Sequence, residues 1–332
     1  MVRKASIPAL RRQIDRIDDQ LLRLLNRRAG LALAIAEQKA RSNSGVYAPA
    51  REKGVLARLA RANRGPLPEL LVRAIFREII SASRSLEQRP RIAYLGPEAT
   101  FAHVAARQQF GAAAEYLPVG SVAEVFHEVE GGRANLGIVP VENSTEGMVA
   151  HTLDLLADSP LRICAEISLP VRHNLLGQPG LALERVQRVA AHPQALAQCR
   201  RWLSEHLGGV TQEPEASNAR AAARAREEEG LAAIAGDAAA ETYGLGFLAR
   251  GIQDDPGNVT RFLVLAAHDE PQPSGDDKTS ILFSVRDEIG ILARMLQPFA
   301  SHKIDLIKIE SRPLRGRPWE YVFYLDLKGH RV

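Results

Sequence analysis

Cysteine is almost missing from this chain: Cys164 and Cys199 are the only two in 332 residues. They lie far apart, with no Cys or His partner at metal-ligand spacing, which excludes a secreted disulfide scaffold and argues against structural zinc. Both read as small hydrophobes. No apolar run approaches the roughly 18 residues of a membrane span. Arg11 and Arg12 interrupt the first apolar stretch, so no signal-peptide pattern opens the chain and the cytoplasm is the expected compartment. Internal repeats, low-complexity tails and a phosphate-cradling glycine loop are also absent, and no helix-turn-helix pattern appears. His103, His173 and His192 have no Ser or Cys in a nucleophile-elbow context, so capping or packing is expected of them.

What is present is a 45% hydrophobic chain, long enough for two or three domains with separate cores. Its modest net charge of +4 hides an asymmetry. Residues 1–91 hold 20 Lys+Arg against 8 Asp+Glu, whereas the remainder holds 23 against 31. The N-terminal part therefore seeks anions, either nucleic acid or a small polycarboxylate.

Ile7, Leu10, Ile14, Ile17, Leu21 and Leu24 recur at spacings of three and four, which predicts one long helix over residues 7–39 whose seam needs a partner helix. The same spacing then lands on Arg28, placing a guanidinium where an apolar side chain belongs. Further helices are expected over 49–62 and 70–88, giving an all-helical domain of residues 1–90. From Arg91 to His268, apolar strand-like runs alternate with Ala-rich helical stretches, which predicts an α/β domain with largely parallel sheets. A polar linker, 269–278, leads to a β-α-β-β order over 279–332.

Arg11 and Lys39 stand 28 residues apart, hence about 42 Å along a straight helix. No small ligand can touch both within one chain. If they share a site, a second copy must run antiparallel beside the first, which predicts an intertwined homodimer or larger homo-oligomer.

The tract LRRQIDRIDDQLLRLLNRRAGLALAIAEQK, with REK at Arg51 and FREIISASRSLEQ at Phe76, resembles the mutase domain of bifunctional chorismate mutase/prephenate dehydratases. The resemblance implies that Arg11, Arg28, Lys39 and Arg51 hold the two carboxylates and the ether oxygen of chorismate. It also implies that Glu52 meets the substrate hydroxyl, Ser83 a carboxylate, and Glu87 the ether oxygen. Ala48 departs from the family, which often has an acidic residue near that position. The Claisen rearrangement needs no metal or other cofactor: holding the reactive conformer and stabilising charge on the breaking C–O bond suffices, with Lys39 and Glu87 as the catalytic pair. Glu87 can donate only when protonated.

YLGPEATF at Tyr94, GIVPVENSTEG at Gly137, AHPQALAQC at Ala191 and NVTRF at Asn258 resemble the prephenate dehydratase domain at four ordered places. Taken alone, ENST also fits an Asx turn at a helix N-cap, and Thr-Arg after a glycine turn also fits a strand start. The resemblance implies a two-lobed, periplasmic-binding-protein-like fold with prephenate between the lobes. Thr260 would polarise the departing hydroxyl and Arg261 grip a carboxylate, with Thr100, Glu142, Asn143, Ser144 and Thr145 lining the pocket.

GILARMLQPFASHKIDLIKIESRP resembles the first part of an ACT regulatory domain of ferredoxin-like α+β fold. Gly290, Ile291, Leu292, Glu310, Ser311, Arg312 and Pro313 would frame phenylalanine as effector. The stop at Val332 leaves that resemblance without a last helix and strand, so either another chain completes the sheet or inhibition is weakened. The expectation is thus a cytoplasmic enzyme of phenylalanine biosynthesis with no nucleic-acid or membrane partner. An amino-acid-responsive regulator with a basic DNA-binding bundle is the alternative; a solute-binding protein lacks its export signal.

Overall fold

The computed structural model describes residues 6–42, 47–268, 272–285, 288–313 and 320–331, with the side chains of 39–42 outside that description. Among the described residues no helix is long and apolar enough to cross a membrane. Three helices come first: α1 (Ile7–Ser42), α2 (Pro49–Ala62) and α3 (Glu69–Glu87). α1 packs on α3. Its predicted seam stays bare, however: Ile14, Ile17, Leu21 and Leu24 are 51–60% exposed.

The first lobe then holds β1 (Arg91–Leu95), α4 (Phe101–Phe110), β2 (Glu115–Val119), α5 (Val122–Glu130), β3 (Leu136–Asn143), β4 (Gly147–Met148), α6 (Ala150–Asp158) and β5 (Arg162–Pro170). The chain crosses into a second lobe for β6 (Asn174–Gly177), β7 (Arg188–Ala191), α7 (Pro193–Gln198), α8 (Arg200–His206), β8 (Thr211–Pro214) and α9 (Asn218–Glu227). That lobe closes with β9 (Leu231–Ala235), α10 (Asp237–Tyr243) and β10 (Gly246–Ala249), after which β11 (Val259–Ala266) returns to the first. The sheets read β2-β1-β3-β11-β5 and β10-β6-β9-β7-β8.

Largely parallel sheets are not what forms: both are mixed. β3 and β5 end at the boundary between the lobes, and β11 re-enters from there, so it must run antiparallel between them. Both faces of the first sheet are covered. Ile92, Tyr94, Ile138, Phe262 and Val264 pack with Ala102, Ala105 and Phe110 of α4. On the other face, Val139, Val141, Leu263 and Leu265 pack with Val125 and Phe126 of α5 and Leu153 of α6.

One irregularity decides which side chains reach the boundary between the lobes. β11 pairs Phe262 with Pro140 but Arg261 with Glu142 and Thr260 with Asn143, so Val141 is an extra residue in β3. Without this bulge, continued pairing from Phe262–Pro140 would set Glu142 opposite Thr260; with it, Asn143 takes that place.

The C-terminal unit comprises β12 (Lys278–Val285), α11 (Ile291–Ser301), β13 (Leu306–Pro313) and β14 (Tyr321–Lys328), with antiparallel strand order β12-β14-β13. The helical unit docks on the first lobe. Glu78 and Ser81 of α3 accept the backbone N–H groups of Ala112 and Ala113 at 2.9 and 3.2 Å. Gly111, at φ +74°, lies so close that a Cβ would fall 2.6 Å from that of Ser81. A cavity of about 1480 Å³, lined by Lys53, Arg77, Cys164, Asp276 and Asp326 among others, opens where the three units meet.

Candidate active sites

In the helical unit, α1 and α3 bring two of the expected residues together. The Arg28 guanidinium donates to Ser83 Oγ and, at 3.3 Å, to the Ile79 carbonyl, while Ser83 donates to that same carbonyl at 2.8 Å. Arg11, exposed on α1, lies 17 residues earlier, about 26 Å along the axis; it is not brought to Arg28. Arg51 is exposed at the start of α2, and Glu87 is half-buried at the end of α3. The side chain of Lys39 lies outside the described residues.

Glu52, on α2, is ion-paired within the helical unit. Its carboxylate meets Arg84 Nη2 at 2.5 Å. Arg84 is only 5% exposed, its guanidinium carbon 5.4 and 5.5 Å from the ring centroids of Tyr47 and Phe110. A buried cation needs a counter-charge, and Glu52 supplies it.

Between the two lobes, a chain of amides leads to one hydroxyl. Asn143 Oδ1 accepts the backbone N–H groups of Thr145 and Glu146 at 3.0 and 3.2 Å. This pins the orientation of the amide by donors that cannot flip. Its Nδ2 therefore donates, at 2.7 Å to Asn258 Oδ1 and at 2.9 Å to Thr260 Oγ1. Asn258 Nδ2 donates in turn to Gln198 Oε1 at 2.9 Å, and His173 Nε2 lies 2.9 Å from the same oxygen. Since that oxygen can only accept, His173 carries its proton on Nε2. Burial pushes the pKa of His173 down, against the opposing effect of the hydrogen bond it donates to Gln198. Its Nδ1 is buried with no partner among the described residues. The consequence falls on Thr260: its oxygen receives Asn143, so its own O–H is left to donate.

The surrounding hydroxyls have local work. Thr100 caps α4 by accepting from His103 N at 3.3 Å and donates to Leu95 O at 2.9 Å. Ser144 Oγ accepts Val259 N at 2.9 Å, fastening the two strand ends, and Thr145 is exposed beside Asn143. Two histidines cap as expected: His103 Nδ1 accepts Ala99 N at 3.0 Å, and His192 Nδ1 accepts Gln194 N at 3.3 Å. Burial pushes the Cys199 thiol up to about 12, in keeping with a small hydrophobe.

Arg261 and Glu142 are held differently from Thr260 and Asn143. Consecutive strand residues face opposite ways, and these two turn toward the C-terminal unit rather than toward Thr260. Arg261 Nη1 lies 3.0 Å from Asp326 and 3.3 Å from Glu166, and its Nε is 3.2 Å from Glu142, in ion-pair range but misaligned for a hydrogen bond. Glu142 is also ion-paired to Lys308. A guanidinium so surrounded by carboxylates is a poor receptor for a substrate carboxylate.

In the C-terminal unit, Gly290, at φ +77°, caps α11, whose first turn carries Ile291 and Leu292, while Glu310, Ser311, Arg312 and Pro313 close β13. Arg312 Nε meets Asp154 of α6 at 2.8 Å, so its guanidinium faces the first lobe.

Family models match all three units. One described as prephenate dehydratase covers residues 92–270, one described as chorismate mutase type II covers 10–88, and one described as ACT domain covers 279–332. The bifunctional chorismate mutase/prephenate dehydratase of Aquifex aeolicus is 47% identical over 97% of this chain and 90% of its own. This chain belongs to the bifunctional chorismate mutase/prephenate dehydratase family. The relative from Stutzerimonas stutzeri is 45% identical, over 98% of this chain and 90% of its own. A prephenate dehydratase from Arthrobacter aurescens, solved in complex with L-Phe, is 37% identical over 72% of this chain and 80% of that one, with a TM-score of 0.67. The enzyme therefore serves phenylalanine biosynthesis, rearranging chorismate to prephenate and converting that to phenylpyruvate.

Gln198, Asn258 and His173 were not among the residues assigned to the prephenate site. A signal for two of them was present: Gln198 lies inside the AHPQALAQC tract and Asn258 opens NVTRF. What sequence could not supply is that the lobes bring these tracts into one hydrogen-bonded chain.

Proposed function

We propose that the two reactions run at separate sites, one built by two copies of the helical unit and one contained within a single chain. The units are assigned to residues 1–90, 91–268 and 279–332, with a linker at 269–278. In the first unit, Arg28 and Ser83 form half of a carboxylate-binding site, which Arg11 of a second chain completes, with Lys39, Arg51 and Glu87 around the rearranging atoms. The bare seam of α1 supports this. Each Leu or Ile there is already about half buried, so covering the rest contributes roughly 0.8–1.5 kcal/mol per side chain, and an antiparallel partner helix is the natural cover. The catalysis is electrostatic: cations stabilise the charge that grows as the ether C–O bond breaks.

In the second site, prephenate lies between the lobes, as in a periplasmic-binding-protein-like fold, beside Thr260, Asn143, Ser144 and Thr145. The carboxylate C–C bond breaks, its electron pair enters the ring, and the ring C–O bond breaks, giving carbon dioxide and phenylpyruvate. The departing hydroxide takes up a proton and leaves as water. Expelling hydroxide is the hard part, so a donor aimed at that oxygen matters most. The observation that carries this reading is the Asn143–Thr260 hydrogen bond, which leaves the threonine O–H to donate. Thr100 contributes by capping α4 at the edge of the cleft.

The C-terminal unit is read as a ferredoxin-like regulatory module that takes phenylalanine between the Gly290–Leu292 turn and the Glu310–Pro313 strand end, in a cytoplasmic homo-oligomer. The L-Phe bound to the Arthrobacter aurescens relative supports that ligand class. Thr260→Ala tests the dehydratase assignment. With chorismate supplied, prephenate should accumulate at the wild-type rate while phenylpyruvate formation falls by roughly two to three orders of magnitude. Equal loss of both activities would refute it.

A further inference from the structure

The ion cluster that holds Arg261 and Glu142 sits directly behind Thr260 and Asn143. Thr260 pairs with Asn143 across β11 and β3, and the next rung pairs Arg261 with Glu142. Thr260 and Asn143 join the amide chain between the lobes, while Arg261 and Glu142 leave the opposite side of the same two strands. There they meet two strands of the C-terminal sheet directly and the third by way of Asp326. Asp326 of β14 takes Arg261 at 3.0 Å, Lys308 of β13 takes Glu142, and Ser280 of β12 donates to Asp326 at 2.6 Å. Lys278 completes the group by pairing with Glu166 at 2.9 Å.

Three cations, Arg261, Lys278 and Lys308, thus face three anions, Glu142, Glu166 and Asp326. The cluster is neutral, so it has no surplus charge for an anionic ligand. It is also sheltered: the side chains of Arg261 and Asp326 are 16% and 13% exposed, which puts this pair beyond the weak, screened regime of surface ion pairs. Two further contacts, Arg312 to Asp154 at 2.8 Å and Tyr324 OH to the Leu153 carbonyl at 2.7 Å, hold the same sheet against α6.

We propose that Arg261 and Glu142 are positioning residues for dehydration: the C-terminal sheet, through Asp326 and Lys308, sets where Thr260 and Asn143 stand in the cleft. Neighbouring residues of a hydrogen-bonded strand cannot move independently. A shift of the small sheet therefore reaches the threonine hydroxyl through one peptide unit, and a misplacement of about 1 Å at a reacting group can cost roughly a hundredfold in rate. The proposal deepens the regulatory reading above, on which its second part rests: phenylalanine in the C-terminal unit acts on dehydration by moving this cluster, since Lys308, Glu310 and Arg312 lie on the same strand.

The test uses the full-length enzyme carrying Asp326→Asn or Lys308→Met, neither of which touches the amide chain. Mutase turnover in the same sample reports folding. Dehydratase kcat should fall roughly tenfold with the KM for prephenate within about twofold, and Asp326→Glu should restore most of the loss. Added phenylalanine should inhibit the two variants less than the wild type. If Arg261 instead binds prephenate, removing its carboxylate partner should lower KM and leave kcat intact, which overturns the proposal, as does an unchanged kcat. A wild-type enzyme insensitive to phenylalanine would sink the effector reading alone, leaving the kcat result to decide the positioning role.

Discussion

At the residue scale, the second site depends on the direction of one hydrogen. Asn143 is held by two backbone N–H groups, so only its amide nitrogen faces Thr260. Asn143→Asp replaces that donor with an acceptor. The threonine O–H would then turn to the new carboxylate and away from the departing hydroxyl. Dehydratase kcat is expected to fall by roughly 100- to 1000-fold with mutase turnover retained, measured as phenylpyruvate release. His173 ends the same chain and supplies a pH dependence with a definite sign. Burial lowers its folded pKa below the unfolded value of about 6.5. The native state thus binds fewer protons than the unfolded one, so this contribution is complete above about pH 6.5 and is lost as the pH falls through the folded pKa. Urea midpoints at pH 7.5 and 5.5 should show lower stability at the acid end. His173→Gln, which keeps a donor toward Gln198, should flatten that difference; an unchanged slope would remove His173 as its source.

At the element scale, two features differ in how far sequence revealed them. The seam of α1 is legible because helical periodicity is local: spacings of three and four put Ile7 through Leu24 on one face whatever surrounds them. In the single chain that face is half exposed or more at most of its positions. Ile17→Glu places a charge in its middle, and the variant should sediment as a monomer with mutase turnover reduced by roughly 100-fold or more, because Arg11 no longer reaches its partner site. Dehydratase turnover should stay within about twofold, since that site lies in one chain. The bulge at Val141 is the opposite case. Strict alternation across VEN cannot show which of Glu142 and Asn143 lies opposite Thr260, because that depends on the pairing of β3 with a strand more than a hundred residues later. Both were assigned to the pocket from the ENST tract, and the pairing sends one to each side.

At the scale of the whole molecule, the dehydratase lobes are gripped from two directions. α3 holds the turn after α4 through Glu78 and Ser81, and Tyr47 holds α4 itself through the Tyr47–Gln109 hydrogen bond at 2.8 Å, with the Arg84–Glu52 pair beside that junction. The C-terminal sheet holds β3, β5 and β11 through the ion cluster, and α6 through the Arg312–Asp154 and Tyr324–Leu153 contacts. The Lys53–Asp276 pair, 2.7 Å long but largely exposed, adds little beyond proximity. Two residues matched to ligands by resemblance, Glu52 and Arg261, are ion-paired within the chain, Glu52 with Arg84 of its own helical unit and Arg261 with Asp326 of the C-terminal sheet.

Composition and local pattern alone determined the order of helical, alternating and β-α-β-β segments and the amphipathic face of α1, and resemblance marked the four tracts of the dehydratase unit. All of these are carried by neighbours along the chain. Tertiary structure alone decided that β11 runs back antiparallel, that Asn143 rather than Glu142 meets Thr260, and that Gln198 and His173 stand behind Asn258. Each of those outcomes depends on pairing between segments distant in sequence, and a hydrogen bond has a direction only once both of its ends have been brought together.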